Sequence, residues 1–238
     1  MALTKEEIRK RVWDAMEASK VTRFPGVQGR IPNFKGASQA AELVRQLPVW
    51  KEALVLKCNP DSPQRYLRLR ALEEGKLIYM AIPRLREERC FLELEAERIR
   101  GSLEYASSIR GAFAAGRKVT LEEMRPVDLI VCGSVAVTRE GGRLGKGGGF
   151  SDREYALAVQ AERVGPSTPI LSTVHPLQVL EEEIPRVAHD IPVDYVATPE
   201  EIIICSGDLP RPEGIYWDLL TEEKIGQVPI LRKLRGGS

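Results

Sequence analysis

Gly142-Arg143-Leu144-Gly145-Lys146-Gly147-Gly148-Gly149-Phe150-Ser151-Asp152-Arg153-Glu154-Tyr155 stands between a continuous apolar run at residues 127–137 and an apolar-periodic run that starts at Tyr155. The order reads as buried strand, glycine-rich loop, helix. Glycines let backbone N–H groups approach an anion and adopt left-handed conformations. The N-terminus of the following helix adds partial positive charge. Arg143 and Lys146 add full charges, and Asp152 offers a hard oxygen to Mg²⁺. The stretch therefore reads as a site for a polyphosphate and its metal, with Gly145, Gly147, Gly148 and Gly149 as the amide-bearing wall. A flexible loop without a ligand is the plainer alternative, and the Arg, Lys and Asp weigh against it. A Walker A loop does not fit, because Glu140 stands where its first glycine belongs and Gly147 where its hydroxyl belongs. The dinucleotide fingerprint fails at Phe150, which replaces its third glycine.

Outward from this stretch, strands and helices alternate. Residues 37–47 predict a helix and 52–58 a strand. Pro63 opens a helix that Gly75 closes. A strand over 76–82 ends at Pro83, and 104–115 is weakly helical. The central strand covers 127–137, a helix 152–162, a strand 169–174, and a short helix 176–182. Short strands at 193–197 and 201–205 follow. Near-continuous apolar strands separated by helices imply an α/β fold with three layers, a mostly parallel sheet flanked by helices. The functional crevice of such a sheet lies beyond its strand C-termini, here after Cys58, Ile82, Val137 and Val174. Without repeats or a linker, residues 1–238 read as one domain, with a core at about 4–205 and a C-terminal arm at 206–238.

The first helix carries a second signal. Thr4 and Glu7 have capping-box spacing, and Ile8, Val12, Trp13 and Met16 form an apolar stripe. Lys5 and Arg9 fall about 40° apart, close to that stripe. Lysines normally avoid an inward face. These two either snorkel over a packed edge or reach across the seam to something anionic.

Composition narrows the function classes. The formal charge of +1 over 238 residues gives no field favouring nucleic acid or membrane, so neither is an expected partner. No apolar run has transmembrane length, and residues 1–20 do not resemble a signal peptide. Cys58, Cys90, Cys132 and Cys205 are widely spaced, which argues against structural zinc and for a reduced, cytoplasmic setting. With two histidines and no serine in a nucleophile elbow, a hydrolase triad is unsupported. His175, at a predicted strand end, is either a ligand contact or a capped core imidazole, and His189 orders the loop before Asp190. Nothing in the sequence indicates the oligomeric state.

Arg143-Leu144-Gly145-x-Gly147-x-Gly149-Phe150-x-Asp152-Arg153 resembles the signature loop of 5-formyltetrahydrofolate cyclo-ligases, also called methenyltetrahydrofolate synthetases. Lys5-x-x-x-Arg9, Val127-Asp128-Leu129-Ile130-Val131, Gln178 and His189-Asp190-x-x-Val193-Asp194 follow the family in order. Arg30-Ile31-Pro32-Asn33-Phe34-Lys35-Gly36, Gly133-Ser134-Val135-Ala136-Val137 and Arg211-Pro212-x-Gly214-Ile215-x-Trp217 are similar to a divergent branch, the methenyltetrahydrofolate synthetase domain-containing group. Animal members of that branch carry an appended RNA-recognition domain.

The resemblance implies a fold like that of ribose-5-phosphate isomerase and the CoA-transferases. It also implies ATP and Mg²⁺ as cofactors and a folate-like small molecule as substrate. Phosphoryl transfer to the N5-formyl oxygen needs alignment and charge neutralisation more than an acid or base. Lys5, Arg9, Arg143 and Lys146 would supply the cations, with Arg143 and Lys146 as the catalytic pair. Asp152 and Asp190 would serve the metal, and Asp61, Phe150 and Gln178 the folate. The folate half departs from the family pattern. Asn59-Pro60-Asp61 stands where a Glu is usual, so Asp61 either substitutes with a shorter reach or marks a changed pocket. Phe150-Ser151 replaces a Tyr-Tyr pair. In the added segment at 30–36, Asn33 and Lys35 either line a pocket or belong to a loop pinned by Pro32 and Phe34. Three functions remain open: a folate cyclo-ligase, an ATP-using enzyme on another substrate, or a non-catalytic folate-, nucleotide- or RNA-associated binding protein.

Overall fold

The computed structural model describes residues 3–82, 85 and 87–236. Along the chain come α1 (Lys5–Ala18), α2 (Ala37–Val44), α3 (Pro48–Glu52), β1 (Val55–Cys58), α4 (Arg65–Glu73), β2 (Leu77–Ala81), β3 (Phe91–Leu94), α5 (Leu103–Ala106), α6 (Ile109–Ala115) and β4 (Arg117–Val119). Then follow β5 (Leu129–Cys132), β6 (Ala136–Thr138), β7 (Arg143–Leu144), α7 (Phe150–Gln160), β8 (Ile170–Thr173), β9 (Val179–Leu180), β10 (Tyr195–Ala197), β11 (Ile202–Ile204), α8 (Glu222–Gln227) and α9 (Pro229–Gly236).

The main sheet has the order β11-β10-β8-β5-β1-β2-β3-β4. Its five central strands are parallel, and β11, β3 and β4 complete it antiparallel. Connections from β1 run outward to β2, and those from β5 run the other way to β8 and β10. The order therefore reverses between β1 and β5, which is where a ligand crevice opens in such sheets.

Alternation along the strands sends side chains into two separate cores. Leu56 and Cys58 join α1, α2 and α4 on one face. Val55 faces the other, with Tyr155 and Leu157 of α7 and Ile230 and Leu231 of α9. This is the expected three-layer α/β arrangement. Residues 206–236 are more than a tail, since Ile225, Val228, Ile230 and Leu231 are all buried. No helix among the described residues is long and apolar enough to cross a membrane.

Several boundaries differ from the sequence reading. The apolar run 127–137 is not one strand. It breaks at Gly133 into β5 and β6, and β6 joins β7 and β9 in a small second sheet. A side chain at Gly133 would lie 2.9 Å from Asp61 Oδ2 and 3.0 Å from Ile31, so the chain turns where only glycine leaves room. Arg143 and Leu144 pair with β6 instead of entering the loop. The glycine loop thus follows a hairpin, not the central strand. The helix expected at 176–182 is a 3-10 turn over Pro176–Gln178 that runs into β9. Strands β3 and β4 were not anticipated, and 104–115 divides into α5 and α6 at the Ser108 cap. The strand stop expected at Pro83 lies outside the described residues.

Candidate active site

α7 begins at Phe150 because Gly149, with φ +61°, ends the loop in the left-handed region. Gly147 is left-handed too, at φ +98°. The backbone N–H groups of Lys146, Gly147, Gly148 and Gly149 have no protein acceptor among the described residues. Two arginines hold the loop by its carbonyls instead. Arg9 Nε donates to Gly145 O at 2.8 Å, and an Arg153 Nη donates to Gly148 O at 2.5 Å. Unpaired amides ahead of a helix N-terminus make an anion cradle.

Helix α1 delivers Arg9 to this loop, but it carries Lys5 to Asp190 instead. Its capping box forms, with Glu7 N–H donating to Thr4 Oγ1 at 3.3 Å and Thr4 N–H to Glu7 Oε2 at 2.8 Å. Ile8, Val12, Trp13 and Met16 are buried. Arg9 lies beside Gly147, while Lys5 pairs with Asp190, which also accepts from Val187 N–H at 2.7 Å.

Arg143 is placed differently from the sequence reading. It is 4% exposed and donates to Gly133 O at 3.0 Å, to Ile191 O at 3.3 Å and to Asp152 Oδ1 at 2.7 Å. It therefore braces the glycine hairpin against the sheet and acts through Asp152. Burial works against ionising Asp152, but Arg143 and the Ile191 N–H outweigh it and hold the carboxyl below its ordinary value.

Two cavities flank the loop. The first, about 450 Å³, sits beyond the C-termini of β1 and β2 and is lined by Arg30, Ile31, Asn59, Asp61, Lys146, Phe150, Ser151, Asp152 and Glu154, among others. The second, about 220 Å³, lies on the other side, against His189, Arg153 and the C-terminal arm. Both are lined by Gly148, Gly149 and Asp152. Lys146 Nζ reaches Asp61 Oδ1 across the first cavity at 3.2 Å.

The floor of the first cavity was not foreseen. Lys57 and Glu154, 2% and 4% exposed, form an ion pair. Asn59 Nδ2 donates to Glu154 Oε2 at 3.2 Å and to Ser151 Oγ at 3.0 Å. A lysine between Leu56 and Cys58 in a buried strand was the available signal, because a buried charge requires a partner. Arg68, 1% exposed, was missed as well. It donates to Asn59 O at 2.5 Å, Asp61 O at 3.2 Å, Pro60 O at 3.3 Å and Ser107 O at 2.8 Å, which fixes the loop after β1. Burial pushes its guanidinium down to about 10.

Gln178 does not belong to the site. It is fully buried, its amide donates to Ser134 O at 2.9 Å and Val135 O at 3.1 Å, and its oxygen accepts from His175 N–H at 2.8 Å. It ties down the β5–β6 break and lines neither cavity. His175 caps the same turn through Nδ1 and meets Phe34 edge-on. In the added segment, Arg30 and Ile31 line the first cavity, whereas Asn33 pins the loop through Phe24 O at 2.7 Å.

A Mg²⁺ ion bound with a polyphosphate takes one or two carboxylates and completes its shell with phosphate oxygens and water. No group of three or more His, Cys, Asp or Glu side chains among the described residues forms a protein cage. Asp152 fits the phosphate-sharing kind of site, since its Oδ2 has no hydrogen-bond partner among the described residues. Asp190 is engaged in the same way, with Lys5 and Val187 N–H both on its Oδ2, but it lines neither cavity, whereas Asp152 lines both and is the better placed of the two.

The family model of the 5-formyltetrahydrofolate cyclo-ligase family matches residues 2–199. A Bos taurus protein named methenyltetrahydrofolate synthase domain-containing protein is 39% identical over 239 residues, covering 98% of this chain and 62% of its own length. A Homo sapiens protein of the same name is 35% identical over 240 residues, covering 99% of this chain and 62% of its own. The chain thus spans less than two thirds of the length of these relatives. The NMR structure of Aquifex aeolicus 5,10-methenyltetrahydrofolate synthetase matches with a TM-score of 0.56 at 22% identity, over 87% of this chain and 96% of that one, and shares the fold.

Proposed function

The chain belongs to the 5-formyltetrahydrofolate cyclo-ligase family, and we propose that it is an ATP- and Mg²⁺-dependent ligase that converts 5-formyltetrahydrofolate to 5,10-methenyltetrahydrofolate. The observation that carries this is the meeting of two cavities at Gly148, Gly149 and Asp152, beside backbone amides without protein acceptors among the described residues. A phosphoryl group moves only between ligands in contact, and the edge that these residues share is where a nucleotide and a second ligand would meet. N10 then attacks the activated carbon, the ring closes and phosphate leaves.

The residues divide the work by position. Amides of the glycine loop receive phosphate oxygens, and Arg9 and Arg153 keep them aimed by holding the loop carbonyls. Lys146, 39% exposed at the mouth, is the mobile cation between the two ligands. Charge neutralised here lowers the barrier most where water is excluded. Asp152, oriented by buried Arg143, would hold the metal, which when bound neutralises phosphate charge. Asp61 and Phe150 face the folate cavity, with Asn59, Ser151 and Glu154 beneath.

A second reading keeps the ATP chemistry and changes the substrate. It is favoured by the polar floor of Glu154, Asn59 and Ser151, backed by buried Lys57, which includes the residue standing in place of the family's second Tyr. Anaerobic incubation with 5-formyltetrahydrofolate, ATP and Mg²⁺ separates the two. Growth of the methenyl product's absorbance supports the first. ADP release only with another heterocycle supports the second.

A further inference from the structure

Arg211-Pro212-x-Gly214-Ile215-x-Trp217 lies beyond residue 199, where the family match ends, and nothing above gives it a role. It is nevertheless firmly anchored. Arg211 grips both carboxylate oxygens of Asp194, at 2.6 and 2.7 Å, and donates to Thr168 O at 2.5 Å. Arg186 donates to Pro210 O at 2.9 Å and to Asp190 O at 3.1 Å, which ties the segment to the loop that carries Asp190. Ile215, Trp217 and Leu220 pack against the core that also holds α7 and α9. A segment fixed at both ends in this way is a strap, and it closes the second cavity.

That cavity has two unlike ends. One presents the glycine-loop amides, His189 and Arg153, whose buried Nε has no partner among the described residues. Arg153 has no carboxylate partner among the described residues; its guanidinium stacks 4.7 Å over Phe150. The other end is apolar, built by Ala156, Ile215, Tyr216, Leu219 and Leu220. At about 220 Å³ it is smaller than the roughly 300–1,000 Å³ of a whole ligand pocket, so it accommodates part of a ligand. An anion-binding end joined to a small apolar slot matches a polyphosphate that carries a flat heteroaromatic ring.

We propose that the strap at residues 211–220 holds the base of a nucleoside triphosphate whose phosphates lie on the glycine loop. This rests on the loop being the phosphate site. The catalytic face would then use a segment outside the family match to clamp its nucleotide, and Arg211 would be a positioning residue for that clamp.

The test compares Mg·ATP with Mg·tripolyphosphate, which has phosphates and no base, by calorimetry on the full chain. In a Tyr216→Ala/Leu219→Ser variant, ATP affinity should fall at least tenfold while tripolyphosphate affinity stays within twofold. Leu219 is 54% exposed and Tyr216 half-buried, so the fold does not depend on them. Should thermal unfolding show otherwise, Ala156→Leu decides the matter, since it fills the slot from α7 and should weaken ATP alone. Equal losses for both ligands, or no loss of ATP affinity, would overturn the strap while leaving the phosphate site standing. A wild-type chain that binds neither ligand would overturn both.

Discussion

Lys146 Nζ lies 3.2 Å from Asp61 Oδ1, and this one contact joins the glycine loop to the end of β1. Both residues are far apart in sequence and both line the larger cavity. The pair marks where a phosphate donor and a second ligand would meet, and each partner has a separable role.

Lys146→Ala should weaken ATP binding by about 1.5–3 kcal/mol, the range for a hydrogen bond to a charged group. Thermal stability should barely move, because a partly exposed ion pair is worth about 0–1 kcal/mol. Asp61→Ala should instead leave ATP affinity intact and raise the KM for the second substrate. Calorimetry and steady-state kinetics read the two effects separately.

Arg9→Ala removes the donor that holds Gly145 O. The loop amides lose their aim, so ATP affinity should fall at least tenfold while the buried stripe of Ile8, Val12 and Met16 keeps α1 docked. ATP binding equal to wild type in this variant would show that α1 is structural only. Deleting residues 1–12 should abolish ATP binding and also lower the Tm.

The buried Lys57–Glu154 pair yields a stability prediction with two arms. Glu154→Ala leaves a buried lysine without its counter-charge and should cost about 3–5 kcal/mol in urea unfolding. Lys57→Met combined with Glu154→Leu should be neutral or stabilising, since apolar replacement of a buried ion pair often is. Turnover should be low in both, because Asn59 and Ser151 lose their anchor.

Asp152 sets a pH dependence. Its carboxyl titrates below the ordinary 3.8, so between the two values the unfolded chain binds a proton that the folded chain does not. The Arg143–Asp152 pair therefore contributes fully above pH 3.8, and its contribution is lost as pH falls through the lower, folded value. Urea unfolding of Asp152→Asn should show a shallower loss of stability on acidification from pH 5 to pH 3 than wild type.

Much of the layering was legible in the sequence, because near-continuous apolar strands and an amphipathic α1 leave little choice of partner. The strand break at Gly133 was not, since residues 127–137 are uniformly apolar and the turn is dictated by the approach of Asp61 and Ile31 from elsewhere in the chain. The approach of Arg9 to the glycine loop was readable from helical spacing together with the family resemblance, whereas Lys5 turns to Asp190. Lys57, Arg68 and Glu154 were not readable, because their partners come from other elements of the fold. Gln178 differs in the opposite direction: the family resemblance implies a folate contact, whereas three backbone groups claim its amide.

The most direct measurement is the stoichiometry of ADP release against methenyl product in one anaerobic reaction with 5-formyltetrahydrofolate, ATP and Mg²⁺. Phosphoryl transfer between the two cavities predicts one ADP per methenyl product formed, and loss of both signals in Lys146→Ala. Methenyl product formed without ATP, or ATP bound with no ADP released in the presence of the folate, would contradict it.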